Sequence, residues 1–183
     1  MDHADKLDLF PAGKLQVTLL RLCHQLVEHY GDFSDTVILG AQPRGVYLAK
    51  RIQAELNRLI GRELPCGELD ATFYRDDFRM RQEPLAANRT HIDFLVENQH
   101  VIFVDDVLYT GRTIRAGMDA MMAFGRPKSV ALLVLVDRKR KRELPIEPSY
   151  VGIEVDTIET QYVAVQLRES GGEDKVFLVQ KEE

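Results

Sequence analysis

Apolar residues along the chain follow two spacings, one typical of helices and one typical of strands. Between residues 14 and 30 they recur at steps of three or four, which predicts an amphipathic helix. The same spacing returns at 46–60 and again ahead of Gly125. Short and nearly continuous apolar runs instead predict buried strands, at 36–39, 101–104 and 129–136.

A further strand and a long loop are predicted between the second helix and residue 101. Leu69, Ala71 and Phe73 alternate with polar residues, which indicates a strand that ends at Tyr74. Residues 75–93 then lose all apolar periodicity and are crowded with charged side chains. A loop of this length inside a compact domain is typically a lid, a binding loop or a disordered segment.

The order of the elements predicts the fold class. Strands alternate with helices through residue 136, so we expect an α/β fold with a mostly parallel central sheet and helices on both faces. Alternation at 163–167, a turn at 170–172 and an apolar run at 176–179 predict a C-terminal β-hairpin, added at or near an edge of that sheet. With no internal repeat or linker, residues 1–183 are expected to form a single domain.

Composition narrows the class of protein. A formal charge of −5 excludes a generic nucleic-acid coat, so any RNA binding would need a local basic face. No apolar run approaches the ~20 residues that a membrane span requires. The acidic, polar start is unlike a signal peptide, which favours a cytoplasmic location where Cys23 and Cys66 remain free thiols.

The stretch from Val101 to Thr113 carries the candidate chemistry. Asp105 and Asp106 follow a buried strand, and Thr110 begins a short loop that leads into a helix. Ligands of open α/β sheets bind at such strand ends, and a helix N-terminus suits a phosphate. Adjacent carboxylates can hold Mg²⁺, accept hydrogen bonds from sugar hydroxyls or receive a phosphoryl group, whereas a bare pair is more often solvated. The neighbouring phosphate site favours a sugar phosphate. The helix that follows is expected to turn its apolar side chains inward, namely Ile114, Met118, Met121 and Met122.

Residues 104–113, Val-Asp-Asp-Val-Leu-Tyr-Thr-Gly-Arg-Thr, resemble the 5-phosphoribosyl-1-diphosphate (PRPP) motif of type I phosphoribosyltransferases. In this form the motif is similar to that of the PyrR family, the bifunctional pyrimidine operon regulators and uracil phosphoribosyltransferases. The resemblance extends from about residue 15 to residue 179. It includes segments similar to the family's pyrophosphate loop, flexible-loop entry, base-pocket segment and tail, at 39–46 with 48–52, 67–77, 136–138 with 142–146, 150–152 and 172–174. Residues 139–141 depart from the family, which commonly has Gly-His there, and the stretch is one residue longer.

The resemblance implies a type I phosphoribosyltransferase fold with a flexible loop, and an activity. Uracil and PRPP would give UMP and pyrophosphate, with Mg²⁺ bound through PRPP and possibly through the two carboxylates. A homo-oligomer, either a dimer or a tetramer, and UMP-promoted binding to a pyrimidine-operon mRNA leader are also implied.

The resemblance further implies roles for individual residues. Asp105 and Asp106 would be catalytic, holding the ribose hydroxyls and stabilising positive charge on the ring. The 5′-phosphate would be bound by Tyr109, Thr110, Gly111, Arg112 and Thr113. The pyrophosphate would be bound by Pro43, Arg44 and Gly45. The flexible loop would contribute Arg75, Asp76, Asp77, Arg79 and Arg81. The base would lie near Arg138 and Val163, and RNA would be bound by Arg21 and His24.

Two local features have more than one interpretation. Pro43 is most simply a trans proline in a turn, but an X–Pro bond lowers the cost of cis, and we hypothesise one cis or strained bond in 42–44. The five basic residues 138–142 could form an RNA patch, a solvated loop or a source of positive field near the pyrophosphate.

The RNA-binding assignment has an alternative, and three other functions remain open. Leu20 stands where the family's RNA-binding pattern has Thr before Arg21, and His24 could equally be a surface or interface residue. The chain could also be a regulator with little catalytic activity, or a phosphoribosyltransferase for another base, such as a purine. A phospho-receiver domain also clusters Asp at strand ends, but the mid-chain acid pair followed by Tyr109-Thr110-Gly111 argues against it.

Overall fold

The structure is a computed structural model, and it describes residues 6–11, 13–76 and 88–180. Within these ranges the helices and strands, in chain order, are β1 (Lys6–Asp8), α1 (Lys14–Tyr30), β2 (Thr36–Ala41), α2 (Arg44–Ile60), β3 (Cys66–Leu69), β4 (His100–Leu108), α3 (Arg112–Met122), β5 (Ser129–Lys139), β6 (Tyr150–Asp156), β7 (Gln161–Gln166) and β8 (Lys175–Gln180). Short 3₁₀ helices lie at Thr72–Tyr74 and Arg168–Ser170.

Five parallel strands form the central sheet in the order β3-β2-β4-β5-β6. Side chains from alternate strand positions enter two separate cores. Ile38, Ile102 and Leu133 pack with α1 and α2, whereas Val37 and Val101 pack on the other face with α3. Because both faces are covered, the strands are apolar almost throughout, as the sequence indicates. The predicted α/β class and the helices on both faces are therefore confirmed. Among the described residues, no helix is long and apolar enough to cross a membrane.

The predicted C-terminal hairpin is present, but its expected place at an edge of the central sheet was wrong. Strands β7 and β8 pair antiparallel, and β8 also pairs with β1, so the three form a second sheet in the order β1-β8-β7. At that edge of the central sheet, β5 pairs with β6 and not with the hairpin. The second sheet buries Val165 and Val176 in the same core as α1 and α2.

The predicted strand ending at Tyr74 was also wrong. Strand β3 ends at Leu69, and the Asp70 carboxylate then accepts hydrogen bonds from the Thr72 backbone N–H at 2.7 Å and from its hydroxyl. This Asx turn starts the 3₁₀ helix and leaves Phe73 68% exposed. The alternation therefore holds for Leu69, which is buried, and for Ala71, which packs partly buried against the core, but not for Phe73.

One of the four inward positions expected on α3 was wrong. Met121 is buried, but Met122, the last residue of the helix, is 51% exposed. Ala120 and Met121 are both buried, and Met122 lies about 100° further around the axis, which takes it past the edge of the buried stripe.

Candidate active site

Strand β4 carries both carboxylates of the candidate site, and it is longer than the predicted run because it continues to Leu108. Asp105 and Asp106 are each 7% exposed. The Asp105 carboxylate accepts the Asp106 backbone N–H at 2.8 Å, and the Asp106 carboxylate accepts the Val107 N–H at 2.9 Å. These bonds fix two acidic side chains at the carboxyl end of the central strand.

Burial disfavours the charged form of Asp105 in this pair. It raises the pKa of Asp105 well above its usual range, and the adjacent Asp106 carboxylate raises it further. Because burial disfavours the ionised form of Asp105, a positive group beside it, either a cation or a positively charged ribose ring, is favoured with that carboxylate. The arrangement can therefore stabilise developing positive charge.

The loop between β2 and α2 brings a cation to the acid pair. The Gln42–Pro43 peptide bond is cis, as the hypothesis for 42–44 requires and contrary to the simpler trans interpretation. Helix α2 begins at Arg44, whose Nε donates a hydrogen bond to the Asp106 carboxylate. The side chain that sequence analysis assigned to pyrophosphate therefore contacts a residue assigned to ribose.

Gly45 allows this close approach of α2 to β4. A Cβ added there would lie 2.5 Å from the Val104 carbonyl oxygen and 3.1 Å from the Asp105 Cα. No larger residue fits without moving the strand that carries the acids or the helix that carries Arg44.

A cavity of about 270 Å³ lies over the loop between β4 and α3. Gly111 caps α3 with φ +91°, in the left-handed region, and the Thr110 hydroxyl accepts the Arg112 N–H at 3.3 Å. The helix N-terminus thus points its first backbone amides toward the cavity, an arrangement that suits a phosphate. All five residues assigned to the 5′-phosphate line it, namely Tyr109, Thr110, Gly111, Arg112 and Thr113.

The entry to the predicted flexible loop forms one wall of this cavity. Arg112 pairs with Asp76 at 2.5 Å and with Glu143 at 2.5 Å, and Arg75 donates to the Thr113 hydroxyl at 3.4 Å. Of the loop residues assigned from the sequence, Asp77, Arg79 and Arg81 lie outside the described residues.

The return of this loop is attached to strand β3. Glu68 and His91 form an antiparallel bridge with two N–H···O bonds of 2.8 Å each. The Thr90 hydroxyl also accepts the Asp70 N–H at 3.0 Å. The predicted loop 75–93 therefore ends as ordered chain beside the sheet.

The two residues assigned to the base lie in different parts of the fold. Arg138 is 6% exposed, and its guanidinium carbon lies 3.7 Å from the centre of the Tyr109 ring. It also donates to the Thr157 hydroxyl and to the Gln161 carbonyl. Val163 is in the second sheet, paired with Leu178 and packed against the core. Arg138 thus reaches the phosphate loop, residues 109–113, and Val163 lies in the strand that begins at Gln161, whose carbonyl Arg138 also contacts.

Local ion pairs neutralise most of the basic run 138–142. Lys139 pairs with Asp137 and Glu154, Arg140 with Asp156, Lys141 with Glu159, and Arg142 with Asp137. Because each of these four cations already faces a carboxylate, the run contributes little of the net positive field that an RNA patch would need.

The two residues assigned to RNA lie on the exposed face of α1. Arg21 donates to the backbone carbonyls of Val151 at 3.1 Å and Gly152 at 2.6 Å, whereas His24 is exposed. Arg21 therefore also attaches α1 to β6.

Sequence reasoning missed the role of Glu143 and Arg142 at the site. Glu143 pairs with Arg112, and Arg142 donates to the Tyr109 carbonyl. The only sequence signal was their place in a segment resembling the family's base-pocket region, because spacing alone cannot reveal pairs more than thirty residues apart.

The donor set of the site suits a metal held mainly by a substrate. The described residues contain no group of three or more His, Cys, Asp or Glu placed to hold a metal ion. Mg²⁺ prefers oxygen ligands and commonly takes one or two carboxylates plus substrate phosphates and water. The adjacent carboxylates fit that pattern.

Comparisons with known proteins show which family of sequences this chain resembles. The family model described as "Phosphoribosyl transferase domain" matches residues 14–170. The "Bifunctional protein PyrR" of Caldicellulosiruptor bescii is 42% identical, covering 94% of each chain, and that of Oceanobacillus iheyensis is 43% identical, covering 96% of this chain and 98% of the relative.

Solved structures show the same fold at lower identity. A hypoxanthine-guanine phosphoribosyltransferase from Leishmania tarentolae, in complex with GMP, has a TM-score of 0.73 at 18% identity and covers 98% of both chains. One from Bacillus anthracis has a TM-score of 0.71 at 18% identity, covering 94% of this chain and 98% of that one. At this identity the likeness establishes the fold and not the base that is used.

Proposed function

The chain belongs to the phosphoribosyl transferase domain family and, within it, to the PyrR family, and we propose that it is a uracil phosphoribosyltransferase. It converts uracil and PRPP to UMP and pyrophosphate. The observation that carries this proposal is the placement of a buried acid pair, Asp105 and Asp106, between Arg44 on one side and the phosphate cavity at Thr110–Thr113 on the other.

That placement matches the three parts of PRPP, namely two charged phosphate groups and the ribose between them. The backbone amides and hydroxyls of Thr110–Thr113 bind the 5′-phosphate. Asp105 and Asp106 accept hydrogen bonds from the ribose hydroxyls in the middle. Arg44, at the start of α2, meets the pyrophosphate on the far side.

Charge stabilisation and positioning supply most of the rate. As the bond to pyrophosphate lengthens, positive charge develops on the ribose ring, and the acid pair lowers its energy. Arg44 turns from Asp106 to the departing pyrophosphate, which leaves that carboxylate free to face the ribose. When bound with PRPP, Mg²⁺ supplies further charge neutralisation at the diphosphate, and Asp105 and Asp106 are the residues that would hold it.

The choice of base separates this function from a purine phosphoribosyltransferase on the same scaffold. Purified protein with PRPP and Mg²⁺ is offered uracil, hypoxanthine or guanine, and nucleotide formation is followed by chromatography. We expect UMP to form and IMP and GMP to remain at background. Efficient formation of IMP or GMP without UMP would replace uracil with a purine in the proposal.

We further propose a second activity, UMP-responsive binding to a pyrimidine-operon mRNA leader. The names of the curated relatives, which describe them as bifunctional, support it. The exposed face of α1, with Arg21 and His24, is the proposed contact. A homo-oligomer, either a dimer or a tetramer, and a cytoplasmic location complete the proposal.

A further inference from the structure

The segment 137–146 packs against the phosphate loop, residues 109–113, through backbone hydrogen bonds and a side chain. The backbone N–H groups of Glu143 and Leu144 both donate to the Thr110 carbonyl, at 3.0 and 3.2 Å. The Ile146 side chain lies 3.4 Å from where a Cβ on Gly111 would stand. The conformation of the phosphate loop therefore depends on a segment that is distant in sequence.

Arg142 connects this segment to the loop through its side chain. One terminal nitrogen donates to the Tyr109 carbonyl, and the other donates to the Asp137 carboxylate at 2.6 Å. Asp137 is fully buried near the carboxyl end of β5. The Lys139 Nζ lies 2.9 Å from the second carboxylate oxygen of Asp137. The guanidinium thus joins a fixed carboxylate to the first residue of the phosphate loop.

A second arginine of the same basic run holds the same tyrosine. Arg138 stacks on the Tyr109 ring at 3.7 Å, while Arg142 binds the Tyr109 carbonyl. Tyr109 is restrained at both its side chain and its backbone, directly before the amides that face the cavity. A phosphate binds tightly to such amides only if they are already in place, because ordering them on binding costs affinity.

We propose that Arg142 is a positioning residue for the 5′-phosphate subsite, acting through the Tyr109 carbonyl and not by touching the substrate. The inference rests on the proposed function for the identity of the ligand. It gives Arg142, the last residue of the basic run, a role in the phosphate subsite and not in RNA binding.

Three variants test this role. Arg142→Met removes both hydrogen bonds. Arg142→Lys keeps one positive charge for Asp137 but lacks the forked donors that reach both partners. Arg140→Met is the matched control, because Arg140 belongs to the same run, is mostly exposed and pairs with Asp156 away from the loop.

Binding and kinetics are measured together. Calorimetric titration with ribose 5-phosphate reports the subsite directly, and initial rates with PRPP and uracil separate KM from kcat. For Arg142→Met we expect the Kd for ribose 5-phosphate and the KM for PRPP to rise about tenfold, with the KM for uracil little changed. Arg142→Lys should fall between Arg142→Met and the wild type, and Arg140→Met should match the wild type.

Several results would overturn the inference. One is wild-type affinity for ribose 5-phosphate in Arg142→Met, and another is an equal loss in Arg140→Met. If Arg142→Met does not fold, Arg142→Lys decides, since unchanged binding there contradicts the role. A wild-type protein that binds ribose 5-phosphate but makes no UMP would overturn the proposed function alone, because the affinity comparison among variants still stands. A wild-type protein that does not bind ribose 5-phosphate would overturn the inference.

Discussion

Gly45 is the residue at which the geometry of the acid pair is most sensitive to a small substitution. Gly45→Ala would place a Cβ 2.5 Å from the Val104 carbonyl oxygen, so α2 and β4 must separate. We expect a loss of about 1–3 kcal/mol in the free energy of unfolding, as for other overpacked sites. Arg44 would also move away from Asp106, which lowers phosphoribosyltransferase activity.

For each variant, thermal unfolding measures stability, and the rate of UMP formation from uracil and PRPP measures activity. Gly172→Ala is the control, because a Cβ at Gly172 meets nothing within 4 Å and its φ lies outside the left-handed region. Equal stability and activity for Gly45→Ala and wild type would show that the contact between α2 and β4 can relax without affecting the site.

Single residues differ in how far the sequence could predict them. Asp105, Asp106 and the phosphate loop could be found because strand, acids and helix start are contiguous, and contiguity fixes their relative positions. The pairing of Arg142 with Tyr109 and of Arg112 with Glu143 could not, since each depends on a loop folding back across the sheet. Phe73 was misassigned because the Thr72 N–H donates to the Asp70 carboxylate, and the resulting turn ends the strand alternation before Phe73.

Arg51 links α2 to the segment between β7 and β8. Its guanidinium donates four hydrogen bonds to the carboxylates of Glu169 and Asp174, at 2.5 to 2.9 Å. Arg51→Met removes the cation that joins these two carboxylates. Allowing for their partial exposure to solvent, we expect a loss of about 1–2 kcal/mol at neutral pH. Arg58→Met, which removes an exposed charge from the same helix, should change stability by less than about 0.5 kcal/mol.

The Arg51 contribution should depend on pH in a defined direction. Hydrogen bonds from Arg51 are the main cause that lowers the pKa of Asp174 and of Glu169 from their ordinary values of 3.8 and 4.5. A carboxylate with a lowered folded-state pKa contributes stability above its unfolded pKa, and that contribution is lost as pH falls through the folded pKa. The stability difference between wild type and Arg51→Met in urea unfolding should therefore be largest near pH 7 and shrink below about pH 4. A difference that grows on acidification would contradict the role of this ion pair.

Elements were predicted best where the apolar pattern was long. Helices α1 and α2 and strands β2, β4 and β5 all lie where the spacing indicated, although β4 and β5 run further than their apolar cores. Strand β1 has only three residues, all exposed, so no pattern marked it. The partner of the hairpin was consequently unknown, and the hairpin was assigned to the wrong sheet.

The charge of the whole chain bears on the RNA activity. The formal charge is −5 and the run 139–142 is paired with carboxylates, so neither the net charge nor this run supplies a basic face for the proposed RNA contact at Arg21 and His24. Binding to a pyrimidine leader RNA should therefore weaken as salt rises, with a slope that corresponds to only a few phosphate contacts.

Arg21→Ala should lower affinity for that RNA and reduce the salt slope by about one contact. Filter binding over a salt series, with and without UMP, measures both quantities, and Arg58→Ala controls for loss of any surface arginine. Because Arg21 also bonds to β6, a melting curve must accompany the assay. RNA binding that is insensitive to salt, or no binding to the cell's own pyrimidine leaders, would remove the regulatory activity.

The most direct test of the proposed mechanism is the rate of UMP formation from uracil and PRPP, measured for the wild type and for the Asp105→Asn/Asp106→Asn double variant. The amides keep the shape of the pair but remove the charge that stabilises a positive ribose ring, so we expect the rate to fall at least ~100-fold while the protein remains folded. A double variant as active as the wild type would contradict the role assigned to the acid pair.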